Sequence, residues 1–506
     1  MVVDKVAVMA RIAVIGAGMG AMAAAARLAV AGHRVVVYER TETYGGAVRR
    51  FERDGFRFDT GPGLLPLPAV QRDLFVKTGK EPLEDCVQLT QVDPSSRHVF
   101  VDGTEVSLPN ASRAGVVTAL DAALGAGAGQ RWGDFLVRAR EAWDRTRRPL
   151  LEEPLWPNWQ VLAEREPYPA VPHKRLLRTR VAGTLTEVGA WELRDPRLAA
   201  LLESHALAYG LDPRTAPASA AVLPYMEHAF GTWYVRGGIR ELARAVYERC
   251  LRRRVEFVFG AEVTGVAEKD GRASGVELAD ARVAEADFVV AGVAPQTLSR
   301  FLPGTALRPQ SGVAPQRGLP SRLTVLLALR GGRPEGTAHR TVVHAEDRET
   351  ELDLLFGTPG GVAARPTVTV LRPDDPTLVP DADHEAVTLV SAVPARRGEV
   401  DAAHVENLIT VAERAVPGLR ERMLWQEVRT PADIEETTGA VGGAIPAPAL
   451  ASAGGRLLHP ANTTGVPGLF TVGGWSHPGG GLPHAGMSGA LVAGLIVEGP
   501  DFRGSQ

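Results

Sequence analysis

Residues 11–40 read RIAVIGAGMGAMAAAARLAVAGHRVVVYER, and this stretch decides the fold. Arg11–Ile15 is a short apolar run that ends in the turn Gly16-Ala17-Gly18. An alanine-rich segment of helical period carries on to Gly32, and a second apolar run ends on Glu39. Strand, tight turn, helix, strand and acid make the βαβ unit that holds a dinucleotide. Glycine inside a helix costs roughly 1 kcal/mol against alanine, so Gly16, Gly18 and Gly20 belong to the turn and the first helical turn. There they let backbone N–H groups and the positive end of the helix dipole approach a pyrophosphate. The third glycine of the fingerprint is Ala21, where the residue only has to be small. Glu39 follows at about the 20-residue spacing of an acid that accepts from ribose hydroxyls.

The second decisive stretch is GLFTVGGWSHPGGGLPHAGMSGALVAGLIVE, residues 468–498. A buried strand delivers a glycine-rich loop, and Ser488-Gly489 is expected to start an apolar helix. Two such devices at opposite ends of a chain suit a two-ended cofactor, FAD. One cradles the pyrophosphate, and the other aims a helix dipole at the flavin ring, where negative charge develops on reduction.

Between these ends the pattern changes twice. Helical periodicity dominates 109–229, including 132–147 and 196–209, with a tryptophan-rich link at 154–172. Ile239–Arg252 reads as a helix, 261–283 as a small meander and 286–292 as a buried parallel strand, so the nucleotide-binding part resumes there. Strand-like runs at 323–329, 367–371 and 386–393 alternate with a helix at 402–416. The expected organisation is an α/β fold: a discontinuous Rossmann-type FAD-binding domain from 1–108, 230–300 and 430–506, with a substrate domain from a helical part, 109–229, and a sheet-containing part, 301–429.

Composition narrows the class. The chain has 506 residues, a net charge of −3 and two cysteines, Cys86 and Cys250. No basic stretch is concentrated enough to track nucleic acid, and the cysteines make neither a disulfide framework nor a metal site. No run approaches the roughly 20 apolar residues of a spanning helix. A cytoplasmic protein is expected, with peripheral membrane contact through Trp132, Trp143, Trp156 and Trp159 as an alternative to their packing in the core.

With these residues in hand, the chain resembles, almost end to end, the carotenoid (phytoene) desaturase family of FAD-dependent oxidoreductases, more distantly related to amine oxidases. The resemblance rests on GAGMG with Glu39, Gly45-Gly46, FRFDTGP at 56–62, DPRL at 195–198 and AYGLDP…APAS to Ser219. It is most specific at PYMEHAFGTWYVRGG, 224–238, and VGGWSHPGGGLP, 472–483. It implies FAD contacts at Gly16, Gly18, Glu39, Gly46, Gly61, Arg236, Val263, Gly473 and Ser488. The flanking Gly20, Ala21, Arg40, Gly45, Ala47, Pro62, Gly474, Trp475, Gly481 and Leu482 complete the expected cofactor site.

Three positions depart from the family pattern. Ala47 stands where an arginine usually follows the paired glycine, with Arg49 and Arg50 just beyond; Trp475 and His484 replace glycines in the C-terminal loop. His484 is the candidate catalytic base, because an imidazole takes a proton near neutral pH. The leading expectation is a dehydrogenase or desaturase that takes a hydride and a proton from a small lipophilic substrate, an isoprenoid or polyene. Two alternatives stand beside it: a tailoring oxidase of secondary metabolism that uses dioxygen, and a non-catalytic lipid-binding protein like the GDP-dissociation inhibitors.

Overall fold

Five short, valine-rich strands lie parallel in one sheet of the computed structural model, which describes residues 9–173, 178–302, 318–357, 360–396 and 400–504. Their order is Glu256–Val258, Arg34–Tyr38, Arg11–Ile15, Phe288–Ala291 and Leu469–Thr471. Val14, Val289 and Val290 are wholly enclosed, which is why these strands read as unbroken apolar runs. The chain leaves this sheet after Tyr38, returns at Glu256, leaves for a small three-stranded sheet before Phe288, and after Ala291 departs once more to close it at Leu469. The FAD-binding α/β fold is therefore assembled from distant segments.

Two helices meet beneath the sheet. The first, Met19–Val30, is buried on nearly every side, with Ala23 to Ala26 almost without exposure. Its small residues let the C-terminal helix, Leu482–Val497, come to backbone contact. A Cβ on Gly20 would lie 2.7 Å from the Ala485 carbonyl oxygen and 2.9 Å from Gly473 Cα. One on Gly489 would lie 2.6 Å from the Gly20 oxygen. Gly20 lacks a side chain where the opposite helix and loop come against it. One expectation is corrected here. The C-terminal helix begins at Leu482 rather than at Ser488-Gly489, because Pro483 suits a first turn whose N–H groups have no helical partner.

A second, seven-stranded sheet runs in the order Met423–Arg429, Ser321–Arg330, His384–Val393, Val368–Leu371, Arg340–Val343, Ser96–Val99 and Glu105–Leu108. The last two strands come from the segment 1–108 that the sequence reading gave to the FAD-binding domain. Ser96–Val99 pairs in parallel with Arg340–Val343, a partner more than 200 residues away that local pattern does not reveal. The helix Ala402–Ala412 covers one face. Phe56 and Phe58, packed edge-on against Trp425, cover the other. The helical part packs around Ala128–Arg147, where Trp132 and Trp143 are 3% and 6% exposed. Those two tryptophans are core, not a membrane face, whereas Trp156 and Trp159 are half-buried. Among the described residues no helix is long and apolar enough to cross a membrane.

Gly20→Ala should destabilise the fold by about 1–3 kcal/mol, since the added carbon meets backbone that cannot swing aside. Urea denaturation of the two proteins measures this; an unchanged midpoint would mean the helices are free to separate.

Candidate cofactor and substrate site

The turn after the first strand is held from both sides. Gly16, at φ +87°, donates its N–H to the Tyr38 carbonyl at 2.8 Å, and a Cβ there would lie 3.3 Å from the Gly292 carbonyl oxygen. The Gly45 N–H reaches the Ala17 carbonyl at 2.8 Å, and a Cβ on Gly46 would lie 3.1 Å from Gly18 Cα. The paired glycines thus form the second wall of the turn. Gly18 is different: a Cβ there would meet nothing within 4 Å. Its open side lies at the N-terminus of the first helix, where the dipole and the free amides favour an anion.

Glu39 is 6% exposed and fixed in place. Its carboxylate accepts from the Ala17 N–H at 2.8 Å and from the Thr41 N–H and hydroxyl at 2.9 and 2.8 Å. The oxygen that accepts from Ala17 keeps a lone pair for a further donor. Arg49 completes this corner, giving one N–H to the Gly46 carbonyl at 3.0 Å and one to the Thr41 hydroxyl at 2.8 Å. It stands over the glycine pair where Ala47, with no polar side chain, cannot act. Arg50 turns away to Glu241 at 2.9 Å, and exposed Arg40 reaches the Glu436 carbonyl.

The second glycine loop is anchored from behind. The Gly473 N–H donates to the Ser488 hydroxyl at 2.9 Å, and Asn462 donates to the same oxygen at 3.0 Å and to the His477 carbonyl at 2.8 Å. Ser488 is fully enclosed, so it holds the loop rather than touching a cofactor, as the resemblance had implied. Asn462 carried no motif; only its place beside the loop reveals it. A Cβ on Gly474 would lie 2.8 Å from Pro446, whereas one on Gly473, at φ +96°, would meet nothing within 4 Å. Gly18, which caps the first helix, and Gly473, in the loop that leads to the C-terminal helix, thus both have open space where a side chain would stand. The geometry fits a ligand laid across both, which an FAD would satisfy.

The other expected residues are spread along this line. Gly61 packs on the Ala47 backbone, where a Cβ would lie 2.4 Å from its carbonyl oxygen, and Pro62 follows it. Ala21 presses on the strand side, its Cβ 3.2 Å from where a Cβ on Gly292 would be, which is the packing role its size suggests. Val263 is buried with Tyr38 in the core beside the parallel sheet, and Leu482 is buried at the start of the C-terminal helix. Exposed Arg236 donates its backbone N–H to the Gln88 carbonyl at 3.0 Å and is not gathered with the Gly16 turn by any contact. Asp59, inside FRFDTGP, accepts from the N–H groups of Ile239 and Arg240 at 2.7 and 3.2 Å. It thereby caps the helix Ile239–Arg252 from a distant segment, a role the motif alone does not disclose.

His484 sits in the first turn of the C-terminal helix, 7% exposed, with Nδ1 enclosed and unpartnered. Burial, and secondarily the nearby His459, lower its pKa to about 4. Such an imidazole is a poor proton acceptor at neutral pH, so the base role expected of His484 gives way to a neutral, hydrogen-bonding one. His459 and His477 are lowered by burial to about 4 and about 3, and His339 and His344 to about 3.

With this geometry in view, the comparisons with known proteins fall into place. The site belongs to a flavin-dependent oxidoreductase. Residues 22–497 match the flavin-containing amine oxidoreductase family, and the chain belongs to it. It is 29% identical to a 4,4'-diapolycopene oxygenase of Methylomonas, over 96% of this chain and 98% of that one. It is also 29% identical to a hydroxyneurosporene desaturase of Cereibacter sphaeroides, over 96% and 97%. A solved structure of putrescine oxidase bound to putrescine superposes with a TM-score of 0.67 at 15% identity, covering 97% of this chain and 99% of that one. FAD is the cofactor, and the protein is a carotenoid-desaturase-like enzyme rather than a non-catalytic lipid carrier.

Gly18→Ala should leave the fold's stability within about 0.5 kcal/mol, since its Cβ enters open space, yet strip the purified protein of most of its flavin. Flavin absorbance per chain, read beside urea denaturation, separates these effects; full flavin content would place the pyrophosphate elsewhere. The buried histidines set a pH dependence. Their folded pKa values lie below the ordinary 6.5, so the unfolded chain binds more protons between pH 6.5 and about 4. Stability is therefore complete above pH 6.5 and falls on acidification, by at most about 1.4 kcal/mol per pH unit for each such histidine. Urea midpoints at pH 7.5 and 5 check the sign; a higher midpoint at pH 5 would contradict it.

Proposed function

We propose that the protein is an FAD-dependent dehydrogenase or desaturase of a lipophilic isoprenoid or polyene. What carries the reading is the apolar continuity of the site. The core of the helical domain, with Leu198, Leu201, Leu202, Leu223 and Met226, runs without a break into Met487 and Ala490 of the C-terminal helix. Trp475 of the glycine loop and Tyr209 rest on the same cluster. The cluster itself is enclosed, so the half-buried rings of Trp475 and Tyr209 are what it presents beside the loop, and ring carbon there favours an apolar chain over a charged amine. The names of the similar proteins, which act on carotenoid skeletons, agree with this choice.

FAD supplies, once bound, a hydride acceptor at flavin N5, so a desaturation takes a hydride from one carbon and a proton from its neighbour. The chain's own part is to hold the carbon skeleton in register and keep water out. Trp475 and Tyr209, held by the enclosed cluster behind them, are the groups placed to do both, and positioning of this kind is worth several kcal/mol of barrier. The anchored loop, with Ser488, Asn462 and the His459 ring bonded to the Ala447 carbonyl at 2.7 Å, keeps the surface facing the substrate rigid.

Anaerobic mixing of the purified flavoprotein with a panel of polyenes, isoprenoids and amines tests the reading. A polyene or isoprenoid should bleach the oxidised flavin band while putrescine leaves it unchanged; bleaching by amines alone would overturn it. Admitting air afterwards distinguishes the acceptor: oxygen uptake with hydrogen peroxide release would mark an oxidase.

A further inference from the structure

One face of the seven-stranded sheet is left open in its middle. Side chains alternate along a strand, so Val368, Val370, Val387 and Leu389 share one face, fully enclosed against the helix Ala402–Ala412. On the other face the register sets Thr369 opposite Val390 and Leu371 opposite Thr388, with Ala392 next along the strand. All five of these are half-buried. Their strands, Val368–Leu371 and His384–Val393, are the fourth and third of seven, so no sheet edge explains the exposure. An outer surface does not explain it either. A sheet face turned to water is polar, and this patch is rich in methyl groups and carries no charge.

Three covers ring the patch. Beside it Leu326, Ala328 and Ala386 are sealed by Phe56 and Phe58, and a Cβ on nearby Gly63 would lie 2.7 Å from Leu371 Cδ1. At the Ala392 end, Arg322 stands opposite in register and donates to the Ala208 carbonyl at 2.7 Å, fixing the helix end that carries Tyr209. The C-terminal glycine loop is tied to the same end. The Ile445 N–H reaches the Pro320 carbonyl at 3.1 Å, and Pro446 is what a Cβ on Gly474 would meet. On the third side Arg340, opposite Leu371, makes a two-pronged ion pair with Glu227 of the helical part. Glu227 lies deep in the protein, yet its side chain and that of Arg340 keep 20% and 19% exposure, so the pair borders an internal space. The patch is the floor of that space, flanked by the 56–63 segment and by the C-terminal glycine loop.

Resting on the lipophilic-substrate reading above, we propose that this floor receives the substrate's carbon chain, with Leu371, Thr388 and Val390 as the residues whose size sets what fits. An apolar chain laid on methyl groups hides its own surface and theirs from water and leaves no charge dry. The Glu227–Arg340 pair forbids a course across the sheet toward the strand Arg340–Val343, because hydrocarbon over an ion pair strips its remaining water without replacing it. The chain therefore runs along the strand His384–Val393, from Thr388 toward Ala392. At that end stands Tyr209, whose Cε1 is 3.7 Å from where a Cβ on Gly481 of the glycine loop would be.

The test is photolabelling of the holoenzyme with a linear diterpene hydrocarbon that bears an alkyl diazirine, followed by mass spectrometry of the peptides. Label should fall on 368–371 and 384–393 and be displaced by excess squalene. Displaceable label confined to other segments would overturn the proposal and leave the lipophilic reading intact. No displaceable label anywhere would also overturn it; if putrescine then bleaches the flavin, the parent reading falls as well. Val390→Trp should weaken squalene binding, read by partition from detergent micelles, about tenfold or more while flavin per chain stays at the wild-type level. Unchanged affinity would overturn the assignment, and so would loss of flavin in step with affinity, which gives the face to the cofactor. Thr388→Val keeps the shape and removes the hydroxyl, so it should bind squalene at least as tightly as the wild type. A loss of about tenfold there would contradict an apolar floor.

Discussion

The backbone contact between the first helix and the C-terminal helix governs the rest of the structure. Gly20 and Gly489 have no side chains, and each lies where a Cβ would press on the other element. Because nothing separates the helices, the first turn of one lies against the other: Gly20 meets the Ala485 carbonyl and Gly473. A helix end favours negative charge only within its first turn, so this proximity matters. With FAD bound, one end would serve a pyrophosphate and the other a ring that becomes electron-rich on reduction.

The surrounding architecture keeps that junction rigid and dry. Ser488 and Asn462 tie the second loop from behind, while Glu39, Thr41 and Arg49 brace the first. Neither set depends on the substrate domain, which is inserted between the strands of the parallel sheet and returns the chain each time to the same core. The substrate side can therefore vary while the cofactor side is held. Trp475, on the glycine loop, rests on the apolar cluster of the helical part, so the two meet there.

Much of the cofactor side was legible in the sequence because its determinants are local. The strand, turn and helix at 11–30, the acid at 39 and the glycine loop at 473–481 each follow from steric rules that act within a few residues. The misreadings arose where distant segments decide. The strands Ser96–Val99 and Glu105–Leu108 gave no local sign that they complete a sheet begun near residue 321. Ser488 was read as a cofactor contact, but full enclosure makes it an anchor. His484 was read as a base from its ordinary pKa, and burial removed that basicity. Asp59 and Asn462 act through partners that no spacing in the sequence announces.

The central claim is that one extended cofactor spans both glycine turns. Heat-denaturing the purified protein and separating the released chromophore tests it directly. The account predicts FAD at close to one equivalent per chain. Release of FMN, which lacks the adenylate half that the first turn and Glu39 would hold, or a colourless protein that releases no flavin, would contradict it.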